Sequence, residues 1–274
     1  MARFALVAHP HRPEAVKLAL EAEAWLRDGG HSADVVTDSR PWAVGEYDLA
    51  VSFGGDGTML RTVHLAMPAE VPVMGVNLGK LGYLTDVAPD DVCRAIELFL
   101  DGRVPVEERM TLRTWIRHQG AEPVVVERAG LNDVVLERAN CGHTIRVRVW
   151  VEEQSFMVYP ADGLILSTPT GSTGYNLSAG GPVVSPAMEL LLLTPVSPHT
   201  LFDRTLVVPV GTTIRLELID QRDASVAIDG VNVALLHSGD SLICSGGPLR
   251  ARLARVGGPS FHGLLRSKFR LSGG

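Results

Sequence analysis

Lysine is nearly missing from this sequence. Lys17, Lys80 and Lys268 are the only three, and arginine supplies the other 22 of the 25 basic residues. Against 31 acidic residues the formal net charge is −6, so the basic excess that a nucleic-acid backbone requires is absent, and no nucleic-acid partner is expected. Cysteine is scarce as well. Cys93, Cys141 and Cys244 lie far apart with no Cys-x-x-Cys pair, which speaks against a disulfide framework and a zinc knuckle. The nine histidines contain no His-Glu-x-x-His. No apolar run approaches the ~18 residues of a membrane-spanning helix. The greasiest patch, Leu190–Leu193, stops at Thr194-Pro195, and Phe4–Ala8 is too short for the core of a secretion signal. No membrane partner and a cytoplasmic location are the expectation.

What is present is enough apolar material, 46% of 274 residues, for one large domain or two modest ones. The first hundred residues alternate between strand and helix signals. Phe4–Ala8, Asp34–Val36, Asp48–Phe53 and Val71–Val76 read as strands. Glu14–Arg27, with Val16, Leu20 and Ala24 at helical spacing, Thr58–Met67 and Asp90–Leu100, capped by Asp90 or Asp91, read as helices. That alternation implies a parallel sheet with helices on its faces. From residue 101 the period changes to short β runs: Arg109–His118, Val124–Arg128, Leu131–Glu137, Ile145–Glu152, Phe156–Tyr159, Thr205–Val208, Thr213–Leu218, Ser225–Ile228, Ser241–Cys244 and Leu249–Val256. The fold class is therefore α/β plus β, an α/β domain over 1–100 followed by a sandwich-like β domain over 101–257.

Two stretches carry chemistry. Strand Asp48–Phe53 runs into Gly54-Gly55-Asp56-Gly57-Thr58 and then a helix. Glycines able to adopt φ > 0, with no side chains, let a phosphate approach the backbone amides, and the helix start adds unpaired donors and a positive dipole end. Asp56 is the ionisable group of this anion-friendly turn. A carboxylate there makes sense as a proton acceptor for a hydroxyl, as a holder of Mg²⁺, or as both. Alternatively the turn is a tight strand-to-helix connection with a capping aspartate. Arg61, one turn further on, is a candidate phosphate contact, and Lys80 in a glycine-rich loop is a second. The other stretch, Asp162 to Pro182, leads a strand, Leu164–Ser167, into a polar loop with Thr168, Thr170, Ser172, Thr173, Asn176 and Ser178. Small hydroxyl residues and glycines there offer donors and acceptors to ribose and base.

These motifs, in order, resemble those of the NAD kinases: Gly54–Thr58, Gly75–Leu84, Glu107–Met110, Leu131-Asn-Asp-Val134, Asp162–Pro182, Pro198–Leu201 with Arg204, Ile228-Asp-Gly230 and Phe261–Phe269. The glycine-aspartate turn alone is shared with lipid and sugar kinases; the Thr168–Pro182 loop together with Asn77–Leu84 is specific. The resemblance implies phosphorylation of the adenosine 2′-hydroxyl of NAD to NADP by ATP or, in some members, inorganic polyphosphate. It implies a Rossmann-like first domain, a β-sandwich-like second domain, and a chain end, 258–274, that returns to the first. It makes Asp56 the proton acceptor, with Gly57 against the same nucleotide and Gly54, Gly55, Thr58 and Arg61 at the donor phosphates. Asn132 and Asp133 contact NAD, Asp162 its nicotinamide side, and Thr173, Gly174, Tyr175, Asn176, Leu177 and Ser178 its adenine and ribose. A divalent cation, Mg²⁺ by preference, and a homodimer or homotetramer are implied too; the metal ligands are not.

Three departures from the family pattern stand out: Asp133 where many relatives carry Glu, Gly174 where alanine is common, and Pro160 where some have a ligand-reading arginine. Asp229 reads as an Asp-Gly hairpin turn that approaches the donor site at most. Two other readings remain at this point, a non-catalytic NAD or NADP sensor and a lipid or sugar kinase. Incubation with Mg-ATP and NAD separates them by whether NADP forms.

Overall fold

The computed structural model describes residues 1–37, 40–79, 82–140, 142–258 and 260–271; Lys80 and Cys141 lie outside the described residues. The chain divides into two compact units, Met1–Glu108 with Arg250–Gly274, and Arg109–Leu249.

The first unit contains β1 (Arg3–Ala8), α1 (Pro13–Asp28), β2 (Ser32–Val35), β3 (Leu49–Gly54), α2 (Asp56–Ala66), β4 (Val73–Asn77) and α3 (Val92–Leu100). The strands run in the order β2-β1-β3-β4, all parallel. β3 is buried at every position and β1 at all but its first, as continuous apolar runs in a parallel sheet require. α1 buries Ala15, Ala19, Ala22 and Leu26. The buried stripe is therefore one residue away from the expected Val16, Leu20 and Ala24; Leu20 is exposed. The alanine face lets the helix axis sit close to the sheet. α2 begins at Asp56 rather than Thr58, so the acid lies in its first turn. α3 follows a 3-10 turn at Pro89–Asp91, and Asp91 occupies its N-cap position without a side-chain cap bond.

The order of the sheet reverses at β1: β2 lies on one side and β3 on the other. In open parallel sheets this reversal leaves a crevice beyond the carboxyl ends of the two central strands. Here those ends lead into His9–Arg12 and Gly55–Thr58.

The second unit is built from β5 (Val106–Arg117), β6 (Val124–Gly130), β7 (Asp133–Arg138), β8 (Ile145–Val151), β9 (Gln154–Ala161), β10 (Gly163–Ser167), α4 (Tyr175–Ser178), β11 (Leu190–Val196), β12 (Leu206–Pro209), β13 (Ile214–Leu218), β14 (Ala224–Ile228), β15 (Val231–Leu236) and β16 (Ser241–Ala254). The chain passes from unit to unit inside β5 and inside β16. One sheet is antiparallel in the order β12-β11-β10-β7-β14-β15. The other joins β9, β8, β13 and β16 antiparallel, with β5 beside β16 and β6 beside β5. Inward residues of both, among them Leu136, Leu164, Leu193, Val147, Leu216 and Leu242, form one core, which makes the unit a β-sandwich.

β16 is a single fourteen-residue strand, where the sequence pattern gave two. Its last two residues, Leu253–Ala254, pair in parallel with β4, and α5 (Phe261–Phe269), further on, belongs to the first unit. The chain end thus returns to the α/β unit, with the Lys268 ammonium 4.0 Å over the Tyr83 ring. Among the described residues no helix is long and apolar enough to cross a membrane.

Candidate active site

At the switch point, a cavity of about 320 Å³ is lined by His9, Pro10 and Arg12 from the end of β1 and by Gly55, Gly57, Thr58 and Arg61 from the turn after β3. Neither Gly54 nor Gly55 uses a positive φ, contrary to the sequence expectation. Gly54 is required for space, because a Cβ there would collide with the Thr58 side chain. Gly55 and Gly57 have open space where a side chain would stand. The Thr58 hydroxyl is buried without a hydrogen-bond partner. Arg12 Nη1 donates to the Leu78 carbonyl at 3.2 Å, and Arg61 Nη2 to the Thr37 carbonyl at 3.4 Å. Two guanidinium groups, a helix start and two bare glycines make a concavity suited to a polyanion. The sequence reading missed Arg12, whose nearness to Gly55 arises from strand order and has no local signature.

Asp56 is not among the lining residues. Its Oδ2 accepts the Tyr83 amide and its Oδ1 the Leu84 amide, each at 3.0 Å. Two of the roughly four acceptor positions of the carboxylate are used in this way. Burial, followed by the Asp56 charge, pushes the Tyr83 hydroxyl above its ordinary pKa.

The other candidates lie in the second unit. Asn132 and Asp133 sit where β7 begins, and their backbone is gripped from two directions. The Asp229 carboxylate accepts the amides of Leu131 (2.8 Å), Asn132 (2.7 Å) and Asp133 (3.0 Å). It reaches them from the hairpin between β14 and β15, where Asp229 and Gly230 both have φ > 0 in the manner of a tight two-residue turn. From the other direction Thr168 donates its amide to the Asn132 carbonyl (2.9 Å) and its hydroxyl to the Leu131 carbonyl (2.6 Å). Gly171 is pressed so close to Asn132 that a Cβ would overlap its carbonyl. Asp133 is 7% exposed. Burial, and then the Asp229 charge, pushes its pKa up to about 7.

The expected loop after β10 is two short helical turns, Thr170–Thr173 and Tyr175–Ser178. Gly174, Tyr175 and Ser178 are exposed and Thr173 and Leu177 half-buried. Asn176 is fully buried. Its amide donates to the Ser172 and Pro182 carbonyls (3.2 and 3.1 Å), and its oxygen accepts the Thr194 hydroxyl (2.6 Å). The Tyr175 hydroxyl donates to Glu137 at 3.2 Å; burial first, then Glu137, raises its pKa. Asp162 pairs with Arg138 at 3.3 Å. Among the described residues no group of three or more His, Cys, Asp or Glu side chains is placed to hold a metal ion.

Comparison with known proteins adds the following. Residues 31–104 match the family model described as the ATP-NAD kinase N-terminal domain, and residues 131–256 match the ATP-NAD kinase C-terminal domain. The chain is 39% identical to the NAD kinase of Heliobacterium modesticaldum over 98% of each chain. Among solved structures, an NAD kinase from Archaeoglobus fulgidus in complex with ATP is similar with a TM-score of 0.76 and 25% identity, covering 97% of this chain and 99% of that one. Yeast NADH kinase complexed with NADH shares the fold, with a TM-score of 0.88 at 20% identity over 100% of this chain and 89% of that one.

Proposed function

The chain belongs to the NAD kinase family and phosphorylates NAD with ATP as donor to give NADP, and we propose that Asp56 is the group that takes the proton from the adenosine 2′-hydroxyl. The observation that carries this assignment is the turn at the switch point. Its glycines line a cationic cavity while its one acid is anchored by two amides at the start of α2.

The donor phosphates occupy the cavity, against the Gly55–Thr58 amides, Arg12 and Arg61. Gly54 contributes by letting Thr58 pack beneath the turn. As the 2′-oxygen bonds to the γ-phosphorus and the bond from that phosphorus to the ADP oxygen breaks, Asp56 accepts the 2′-hydroxyl proton, ADP leaves, and the fixed amides and guanidinium groups offset the charge on the phosphoryl oxygens. Asp56 is the residue that would hold a divalent cation here, and the cation would supply charge neutralisation for the donor phosphates. One carboxylate beside donor phosphates is the ligand set that Mg²⁺ favours over an all-protein cage, and Asp56 is the residue present to provide it.

In the second unit, Asn132, Asp133 and Asp162 contact NAD, and Thr173, Gly174, Tyr175, Leu177 and Ser178 present the surface for adenine and ribose. Asn176 belongs to the same NAD-binding segment, where its buried amide ties the two helical turns together. Gly57 lies against the nucleotide from the α/β side. Inorganic polyphosphate is a second donor by the same polyanion chemistry. The exposed Phe156, Leu201, Phe202 and Val207 support assembly into a homodimer or homotetramer, and a cytoplasmic location belongs to the same reading.

Asp56→Asn is the test. It keeps the shape and one of the two amide bonds, its NH2 group facing the other amide, and it cannot take the proton. NAD affinity is expected to stay within a few-fold while kcat falls by ~10²–10⁴. Turnover at the wild-type rate in that variant refutes the assignment. Neither a non-catalytic sensor nor a lipid or sugar kinase is favoured by similarity that spans 98% of the chain.

A further inference from the structure

The amides that hold Asp56 come from a loop which is itself tied down by the end of the chain. Gly82 packs so tightly on Asp56 that a Cβ would overlap its Oδ1. The next two residues donate the two amides. Residues 86 and 87 are then sewn to β4, with both amides donating to the Gly75 carbonyl at 3.2 and 3.1 Å. The stretch between these points, Tyr83 to Asp86, is secured from residues more than 160 positions later. Arg255, just past β16, donates from Nη1 to the Leu84 carbonyl at 3.2 Å and pairs through Nε with Asp86 Oδ2 at 3.5 Å. The two side chains are 13% and 2% exposed. The Val256 amide donates to the same Asp86 oxygen at 3.2 Å. Lys268, on α5, lies over the Tyr83 ring.

From this arrangement we infer that Arg255 is a positioning residue for Asp56, fixing the Tyr83 and Leu84 amides against its carboxylate, and that Arg255, Val256 and Lys268 act together as a strap on the loop that aims it. The inference rests on the reading of Asp56 as proton acceptor. A base aimed by two amides is only as well placed as the peptide that carries them. The Leu84 carbonyl lies in the peptide plane after that of the Leu84 amide, one Cα away, so a donor on the carbonyl limits the φ and ψ rotations that would carry the amide off Asp56. Small displacements of a reacting group are expensive, with ~10²-fold per ångström as the order of magnitude. Neither Arg255 nor Lys268 lines the phosphate cavity, so their loss should spare donor binding.

Kinetics on the full-length protein test it. Removing Arg255 alone would strand the buried Asp86 charge, so the comparison is Asp86→Asn against the double variant Asp86→Asn/Arg255→Met, whose side chain has no donor. The single variant keeps the Arg255–Leu84 bond, and the double variant loses it. The double variant is expected to lose a further ~10-fold in kcat, with KM for NAD and for ATP within two-fold and faster amide exchange at Tyr83 and Leu84. Asp86→Asn/Arg255→Lys, which restores a donor to the carbonyl, should regain part of the rate. Equal kcat in the single and double variants, with Asp56→Asn inactive, overturns the strap while leaving the base assignment standing. An active Asp56→Asn overturns the base assignment instead. Should the double variant fail to fold, Lys268→Ala tests the same strap from the surface. A ~2–3-fold loss of kcat at constant KM is expected there, and an unchanged kcat counts against the inference.

Discussion

Asp56 and Asp229 are held in the same manner and are left with different capacities. Each is an aspartate whose carboxylate accepts backbone amides from a segment distant in sequence. Asp56 receives two, from Tyr83 and Leu84. Asp229 receives three, from Leu131, Asn132 and Asp133. A carboxylate has about four acceptor positions. The one at the head of α2 keeps lone pairs for a substrate proton or a cation. The one in the β14–β15 hairpin spends nearly all of its capacity on shaping the Asn132–Asp133 backbone. One device thus leaves acceptor positions open in the α/β unit, where we propose the base, and makes a structural clasp in the β unit. What decides between them is how many amides converge.

The sharpest way to break this contrast is to remove the clasp. Asp229→Ala leaves three amides without their acceptor. At ~1–2 kcal/mol each, a loss of roughly 3–6 kcal/mol in unfolding free energy is expected, with KM for NAD raised at least ~10-fold and KM for ATP little changed. Urea denaturation and steady-state kinetics measure both. A variant as stable as wild type would show the three bonds to be incidental.

The second prediction uses pH. Folded Asp133 keeps its proton up to about 7, and an unfolded aspartate loses it near 3.8. Between those values the folded state binds more protons, so this residue makes stability fall as pH rises from ~4 to ~7, and its contribution is flat outside that window. Asp133→Asn should remove that part of the slope. It should be as stable as wild type near pH 4 and more stable by roughly 2–4 kcal/mol at pH 8. A constant difference across the range would contradict it. The Asp229 charge contributes to the shift, so Asp229→Asn should narrow the window.

The smallest effect concerns the donor side. Arg12→Ala removes one guanidinium from the cavity and should raise KM for ATP ~10-fold, with KM for NAD within two-fold. With polyphosphate as donor the same variant should show a similar penalty, because the contact is to phosphate. An effect on NAD instead of ATP would reverse the assignment of the two sides.

Much of the α/β unit was legible because its signals are local. Each short apolar run ends at a proline, glycine or capping residue, and Gly54–Thr58 announces a phosphate turn within five residues. The β unit was harder to read. Gly246-Gly247-Pro248 interrupts the pattern of β16, yet the strand runs through them. Leu190–Leu193 reads as a greasy patch ending at Thr194-Pro195, yet β11 runs through both to Val196, and β15 follows its turn with Val231, Asn232 and Val233 all at least partly exposed. At the site, Asp56 and Asn132–Asp133 were visible as motifs. Arg12 was not, because it meets Gly55 only when β1 and β3 become neighbours. Asp229 was visible only as a turn, since nothing in Ile228-Asp-Gly230 reveals that its side chain folds back onto residues almost a hundred positions earlier.

The most direct measurement is a crystal structure of the wild-type protein with NAD and a non-hydrolysable ATP analogue. The account predicts an Asp56 oxygen ~2.6–3.2 Å from the adenosine 2′-oxygen, still holding the Tyr83 and Leu84 amides, with the analogue's phosphates against Gly55–Thr58 and Arg12. A 2′-oxygen beyond reach of Asp56, served by another base or facing bulk water, would contradict it.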